Sequence, residues 1–398
     1  MSIYLYSKID NLDEQYTVSD WSIVMKVHEL IEIIGDDHFY TGVPDSLLSG
    51  FCKYLMDKYG VSDRHIIGVD EGSCTAIAAG QYLSTGRIPV IYMQNSGIGN
   101  TVNPITSLTA SEVYAIPCIY IVGWRGEPGV SDEPQHALQG KITPDILECI
   151  GLKTIRLNKD TDIDGFKKEY DEVSDYLKNG RSLAIIVSKG ALEYNGEYSQ
   201  SNDNEISREE AIEVILDNSE GELIVSTTGK TSRELYELRE GRGEGHSTDF
   251  LTVGSMGYSS SIALGIALGT DRKVWCLDGD GAILMHMGAM STIGSLGPSN
   301  FTHILLNNES HESVGGYPTT ITSSNICNIA ESFGYATVGS VRSIEALYEA
   351  LKNIARIPGP HFIEVKVAIG SRKDLGRPTT TPEENKIDFM KNIKGEEQ

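Results

Sequence analysis

Short apolar runs recur along the chain, separated by longer stretches in which apolar positions return every three or four residues. In the first half the strand-like runs are Phe39–Gly42, Ile66–Val69, Pro89–Met93, Ile116–Val122 and Leu183–Val187. In the second they are Leu223–Val225, Phe250–Val253, Val274–Leu277, Ile304–Leu306 and Phe362–Val365. Runs that are apolar throughout, rather than alternating, predict strands covered on both faces, as in parallel sheets flanked by helices. The alternation of strand and helix patterns predicts an α/β protein with two doubly wound parallel sheets, one in each half. Ser207, followed three residues later by Glu210, forms a capping box at the start of a helix. Before it, residues 193–206 are polar and aperiodic and read as a linker. The expected division is therefore 1–192 with a short N-terminal extension, 193–206 as linker, and 207–398 with a C-terminal tail.

The most specific local signal lies in the second half. The run ending at Leu277 leads into Gly279-Asp280-Gly281, and a second apolar run ends in Asn307-Asn308. The 25 residues between, 282 to 306, suffice for one helical crossover between parallel strands. Asp280 and Asn308 then lie at the carboxyl ends of neighbouring strands. Two hard oxygen donors, completed by a backbone carbonyl and phosphate oxygens, suit Mg2+ or Ca2+. Gly279 and Gly281 allow the backbone to approach a diphosphate closely.

Composition narrows the partners. The chain has 398 residues, 33 basic against 56 acidic, for a net charge of −23. A field of that sign disfavours nucleic acid and acidic lipid surfaces, and it requires a local basic cluster for any anionic ligand. The six cysteines lack metal-type spacing and read as free thiols in a reducing compartment. No apolar run approaches membrane-spanning length, and residues 1–21 do not read as a signal peptide, so the expectation is a cytoplasmic protein with no membrane partner.

With these residues in place the chain resembles the thiamine diphosphate enzymes, in their compact two-domain form. The resemblance implies a pyrimidine-binding domain followed by a diphosphate-binding domain. It implies Asp280, Asn308 and the Ser310 carbonyl as Mg2+ ligands, with Gly97, Gly279, Gly281 and Ala282 against the cofactor. Glu71 opens an alanine-rich helix, where the helix dipole favours a carboxylate in any case. By resemblance it is the glutamate that bonds the pyrimidine nitrogen and promotes proton loss from the thiazolium carbon. Gly254-Ser255-Met256 resembles the segment whose glycine carbonyl meets the aminopyrimidine and whose apolar residue wedges the two rings. In that family the two domains meet across a subunit interface, implying a homodimer or larger homo-oligomer.

Further segments extend the resemblance over residues 38 to 385. They include Thr41–Ser46, Gln94–Asn100, Gly123–Gly129, Asp132–His136, Thr227–Glu234, His311–Gly316 and Ser371–Pro378. They resemble the branch that decarboxylates phosphonopyruvate, and the branch acting on sulfopyruvate shares the first three. The implied activity is conversion of 3-phosphonopyruvate to phosphonoacetaldehyde and CO2, with thiamine diphosphate and Mg2+, in phosphonate biosynthesis. The alternatives are another 2-oxo acid decarboxylase or a non-catalytic scaffold. Arg125, Lys230, Arg233 and Arg377, with Arg372 and Lys373 nearby, are candidate partners for the small anionic substrate. Asp45, also a candidate substrate contact, joins His136 and His311 as a candidate proton donor after decarboxylation. Tyr317 stands where this branch is expected to carry glutamine, which makes it a candidate determinant of substrate preference.

Overall fold

A computed structural model describes residues 24–395; the predicted N-terminal extension lies almost wholly outside them. The chain forms two six-stranded sheets in which every strand pair is parallel. The first contains β1 (Tyr40–Gly42), β2 (His65–Ile67), β3 (Val90–Gln94), β4 (Ile119–Gly123), β5 (Lys153–Leu157) and β6 (Leu183–Val187), in the order β2-β1-β3-β4-β6-β5. The second contains β7 (Leu223–Ser226), β8 (Asp249–Leu251), β9 (Val274–Gly279), β10 (Phe301–Asn307), β11 (Thr337–Val341) and β12 (His361–Lys366), in the order β8-β7-β9-β10-β12-β11. The two halves therefore share one topology. Among the described residues no helix is long and apolar enough to cross a membrane.

Burial explains the patterns. Within β4, Ile119 and Ile121 pack into the core on one face of the first sheet, while Tyr120 and Val122 pack into the core on the other. In the second sheet Ile304 and Leu306 face one core and Leu305 the other. Each sheet is thus sandwiched, and its central strands have no solvent face to keep polar. The predicted run from Ile116 enters its ladder only at Ile119, because Pro117 has no N–H to donate. β8 stops at Leu251, and Asn385 extends its edge by bonding Leu251 N and Asp249 O. Asn385 lies on the helix Pro382–Lys394, whose Phe389 enters the second core, so most of the C-terminal tail is packed structure.

A small hairpin joins the halves. Ser310–His311 pairs antiparallel with Tyr317–Pro318, and Gly315 and Gly316 take the positive φ values (129° and 77°) its turn requires. Tyr317 is fully buried in the core of the first half. Its ring stacks on Tyr198 with centroids 5.1 Å apart, and its hydroxyl reaches Ser49 O at 3.5 Å. The expectation that Tyr317 selects substrate is corrected: it is a peg that docks the second half onto the first. Tyr317→Ala should lower unfolding free energy on the order of 3 kcal/mol, whereas Tyr317→Phe, which loses only a long hydrogen bond, should cost under about 1 kcal/mol. Urea unfolding of both variants checks this; equal midpoints for Ala and parent would remove the peg.

His65 offers a second test. It lies in the first domain, with Nδ1 donating to Gly60 O at 2.7 Å and Nε2 accepting from the Tyr92 hydroxyl at 2.8 Å. Burial pushes its pKa down from 6.5 to about 4. The unfolded chain gains this proton below 6.5 and the folded chain does not until about 4, so stability should fall as pH drops across that window. The loss between pH 7.5 and 5 should be smaller in His65→Gln, measured as the shift in urea midpoint; an unchanged slope would refute the assignment.

Candidate functional site

In an open parallel sheet, ligands gather beyond the carboxyl ends of the strands, where the strand order reverses. The first sheet reverses between β1 and β3, and the second between β7 and β9. Beyond β1 come Val43, Pro44 and Ser46; beyond β3, Ser96 and Gly97; beyond β7, Thr227 to Lys230; and beyond β9, Asp280 and Gly281. All of these line one cavity of about 680 Å3. Both switch points thus open into the same space, of a size suited to a cofactor with a small substrate.

Glu71 forms part of the first wall. It opens the helix Glu71–Thr85, whose N-cap Asp70 accepts from Ser73 N at 2.9 Å. Its Oε2 accepts from Asn100 Nδ2 at 2.7 Å. Burial pushes the carboxyl up, against the pull of that hydrogen bond. Gly97 lies so close that a Cβ there would sit 2.3 Å from Glu71 Oε1. Gln94 and Ser96 continue the wall. Arg125 is forked onto Asp132 and donates through Nη1 to Ser46 Oγ at 3.3 Å. His136 stands on the helix Pro134–Cys149, which approaches the Arg125 loop closely because a Cβ at Gly140 would collide with Gly126 O. Burial, then Arg125, lowers the His136 pKa. Its Nδ1 is buried with no hydrogen-bond partner among the described residues.

The second wall carries the hard oxygen donors. Asp280 opens a short helix directly after β9, and its Oδ2 accepts from Thr319 Oγ1 at 2.7 Å. Burial pushes its carboxyl up to about 6, against that bond. Asn308 follows β10, and Glu309, with φ of +64°, turns the chain so that Asn308 and Ser310 both reach the cavity. The Ser310 hydroxyl is buried with no hydrogen-bond partner among the described residues. His311 lies against Gly281, and burial lowers its pKa to about 4, so the ring is neutral at pH 7. Gly254, Ser255 and Met256 line the same space, Ser255 in the left-handed region at φ +55°. A Cβ on Gly281 would press on both the His311 ring (3.0 Å) and the Met256 methyl (3.2 Å). Gly279 and Ala282 complete this side.

Of the predicted substrate cations, Arg125 and Lys230 reach the cavity and the other two do not. Arg233 is spent on the carbonyls of Leu375 and Gly376, and Arg377 pairs with Glu133. Asp45 is also corrected: it is buried behind the wall, where it accepts from Gln94 Nε2 at 2.7 Å and from Leu48 N. Asn100, Gln94, Arg208 and Glu312 also line the cavity but were not singled out from sequence. For Arg208 the only hint was its place beside the capping box; Glu312 follows His311 directly. Glu71 and Asp280 line one cavity.

The donor set fits thiamine diphosphate and a divalent cation. Hard oxygens with a glycine-flanked backbone lie on one wall, which Met256 shares, and the buried Glu71 carboxyl lies on the other. Gly97 leaves no room for a side chain, and one at Gly254 or Gly281 would press tightly on its neighbours. An elongated ligand with a diphosphate end and a heterocyclic end matches this polarity.

Comparison with known proteins agrees. The model described as thiamine pyrophosphate enzyme, N-terminal TPP binding domain, matches residues 27–148, and the corresponding C-terminal TPP binding domain model matches 227–365. A phosphonopyruvate decarboxylase of Streptomyces viridochromogenes is 33% identical over 385 residues, covering 86% of this chain and 90% of its own. Another from Streptomyces hygroscopicus is 33% identical over 369 residues, covering 86% and 89%. A sulfopyruvate decarboxylase of Methanosarcina acetivorans is 26% identical over 337 residues, covering 79% and 85%.

Proposed function

The chain belongs to the thiamine diphosphate-dependent decarboxylases, and from that premise we propose that it converts 3-phosphonopyruvate to phosphonoacetaldehyde and CO2 with Mg2+, as a step of phosphonate biosynthesis. The observation that carries the reading is the convergence of Glu71, Asp280, Asn308 and two cations, Arg125 and Lys230, on one cavity, in a chain similar to two phosphonopyruvate decarboxylases. Residues 1–192 and 207–398 are the pyrimidine and diphosphate domains in this reading, joined by 193–206, in a homodimer or larger assembly.

Thiamine diphosphate supplies the carbon nucleophile and the sink for the electron pair released as CO2 leaves. The chain supplies the rest. Asp280 and Asn308 side-chain oxygens and the Ser310 carbonyl hold Mg2+. Glu71 would offer Oε1, the oxygen not bonded to Asn100, to a weakly basic ring nitrogen; its burial favours the protonated form. Met256 would give the ligand an apolar wall, and Gly97 would admit it beside Glu71. Arg125 and Lys230 neutralise the carboxylate and phosphonate in a protein whose bulk charge opposes their entry. Burial lowers the pKa values of His136 and His311, and an entering anion raises both, the direction required of a proton donor. The similarity to sulfopyruvate decarboxylase supports that acid as the second reading.

Glu71→Gln should bind thiamine diphosphate with near-parental affinity but lose about 100-fold or more in kcat; retained turnover refutes the role. Asp280→Ala should abolish Mg2+-dependent cofactor binding by calorimetry. Offered phosphonopyruvate, sulfopyruvate and pyruvate in competition, the enzyme should favour phosphonopyruvate in kcat/KM, and a preference for another acid overturns the substrate. Arg125→Ala should raise the phosphonopyruvate KM about 10- to 100-fold while Arg377→Ala leaves it within about twofold; the reverse order would relocate the anion site.

A further inference from the structure

Arg208, Lys230, Glu234 and Glu312 form a network on the wall behind the Asn308 end of the cavity. Arg208 is forked onto Glu234, with Nη2 donating to Oε1 at 2.7 Å, and its Nη1 donates to Glu312 Oε2 at 2.7 Å. Lys230 Nζ donates to Glu312 Oε1 at 2.7 Å. Glu312 Oε2 also accepts from Asn308 Nδ2 at 2.8 Å. Arg208 and Lys230 both donate to the Glu312 carboxylate, whose charge is thus matched by two cations.

An ionised carboxylate can only accept hydrogen bonds, and it therefore admits only the NH2 end of the Asn308 amide. On the other side Ser310 N–H, which can only donate, meets Asn308 Oδ1 at 3.1 Å. The two contacts select the same rotamer. The choice matters because an amide has two ends of nearly equal shape and only one of them can bind a cation. A flipped Asn308 would present N–H bonds to the metal. Two cations on Glu312 prevent it from being attracted to the metal itself.

We infer that Glu312, clamped by Arg208 and Lys230, is a positioning residue that locks the Asn308 amide with its oxygen toward the divalent cation. The inference rests on the reading of Asn308 as a ligand. Outer contacts of this kind commonly change metal affinity about 10- to 100-fold.

The test is Mn2+ binding to the full-length protein with thiamine diphosphate, read from the electron paramagnetic resonance signal of free Mn2+, which needs no turnover. Glu312→Gln should weaken Mn2+ binding at least about tenfold, because a neutral amide accepts either orientation of Asn308. The double variant Asn308→Asp with Glu312→Gln moves the negative charge without changing its number, and a carboxylate at 308 has two equivalent ends. It should recover binding to within about threefold of the parent, a coupling that simple loss of structure would not give. Binding within twofold of parent in Glu312→Gln overturns the inference, as does a loss that persists in a folded double variant. If Glu312→Gln does not fold, Glu312→Asp keeps the charge but withdraws it by one methylene and should still weaken Mn2+; parental binding there overturns the inference. Unchanged binding in Asn308→Ala instead defeats the ligand reading itself.

Discussion

Parallel pairing sends the carboxyl ends of all strands to the same edge of a sheet, and here that constraint operates twice, with the two edges turned toward each other. Neither edge alone makes a site. The first contributes a buried carboxyl held by Asn100, and the second contributes hard oxygens and a glycine-flanked turn. The Ser310–Pro318 hairpin couples them physically: one strand carries Ser310 and His311 into the cavity, and the other drives Tyr317 into the opposite domain's core. Packing and chemistry are therefore fixed by the same few residues.

The sheets were legible because their central strands are buried on both faces, which leaves unbroken apolar runs. β5 and β11 escaped notice for the converse reason. Each is an edge strand, Lys153-Thr-Ile-Arg-Leu with exposed Lys153 and Arg156, and Thr337-Val-Gly-Ser-Val only half buried. Glu71 and Asp280 could be found because each sits immediately after a strand. The network around Glu312 could not, since residues 208, 234 and 312 meet only after two crossovers have formed. Sequence located the cations of the Lys230 and Arg372 segments but not whether their charge was free. Arg233 and Arg377 were already committed elsewhere.

Electrostatics in the cavity is a matter of prior pairing. The chain carries a net charge of −23, yet its cofactor, thiamine diphosphate, has an anionic end. The cations on the wall are not loose: Arg125 is forked onto Asp132, and Lys230 onto Glu312. Such pairs keep long side chains in place, so little ordering remains to be done when an anion arrives. They also keep the local field moderate, and this favours ligands of high charge density that can compete with a carboxylate.

The shared strand order of the halves has a consequence for assembly. The strands of each sheet come from one continuous stretch of chain. The N-terminal sheet can therefore close while the rest is still being synthesised. What remains for the end is the seating of one finished module on another. The cavity is complete only once that seating is done, so a ligand bound across both walls would stabilise the seated form.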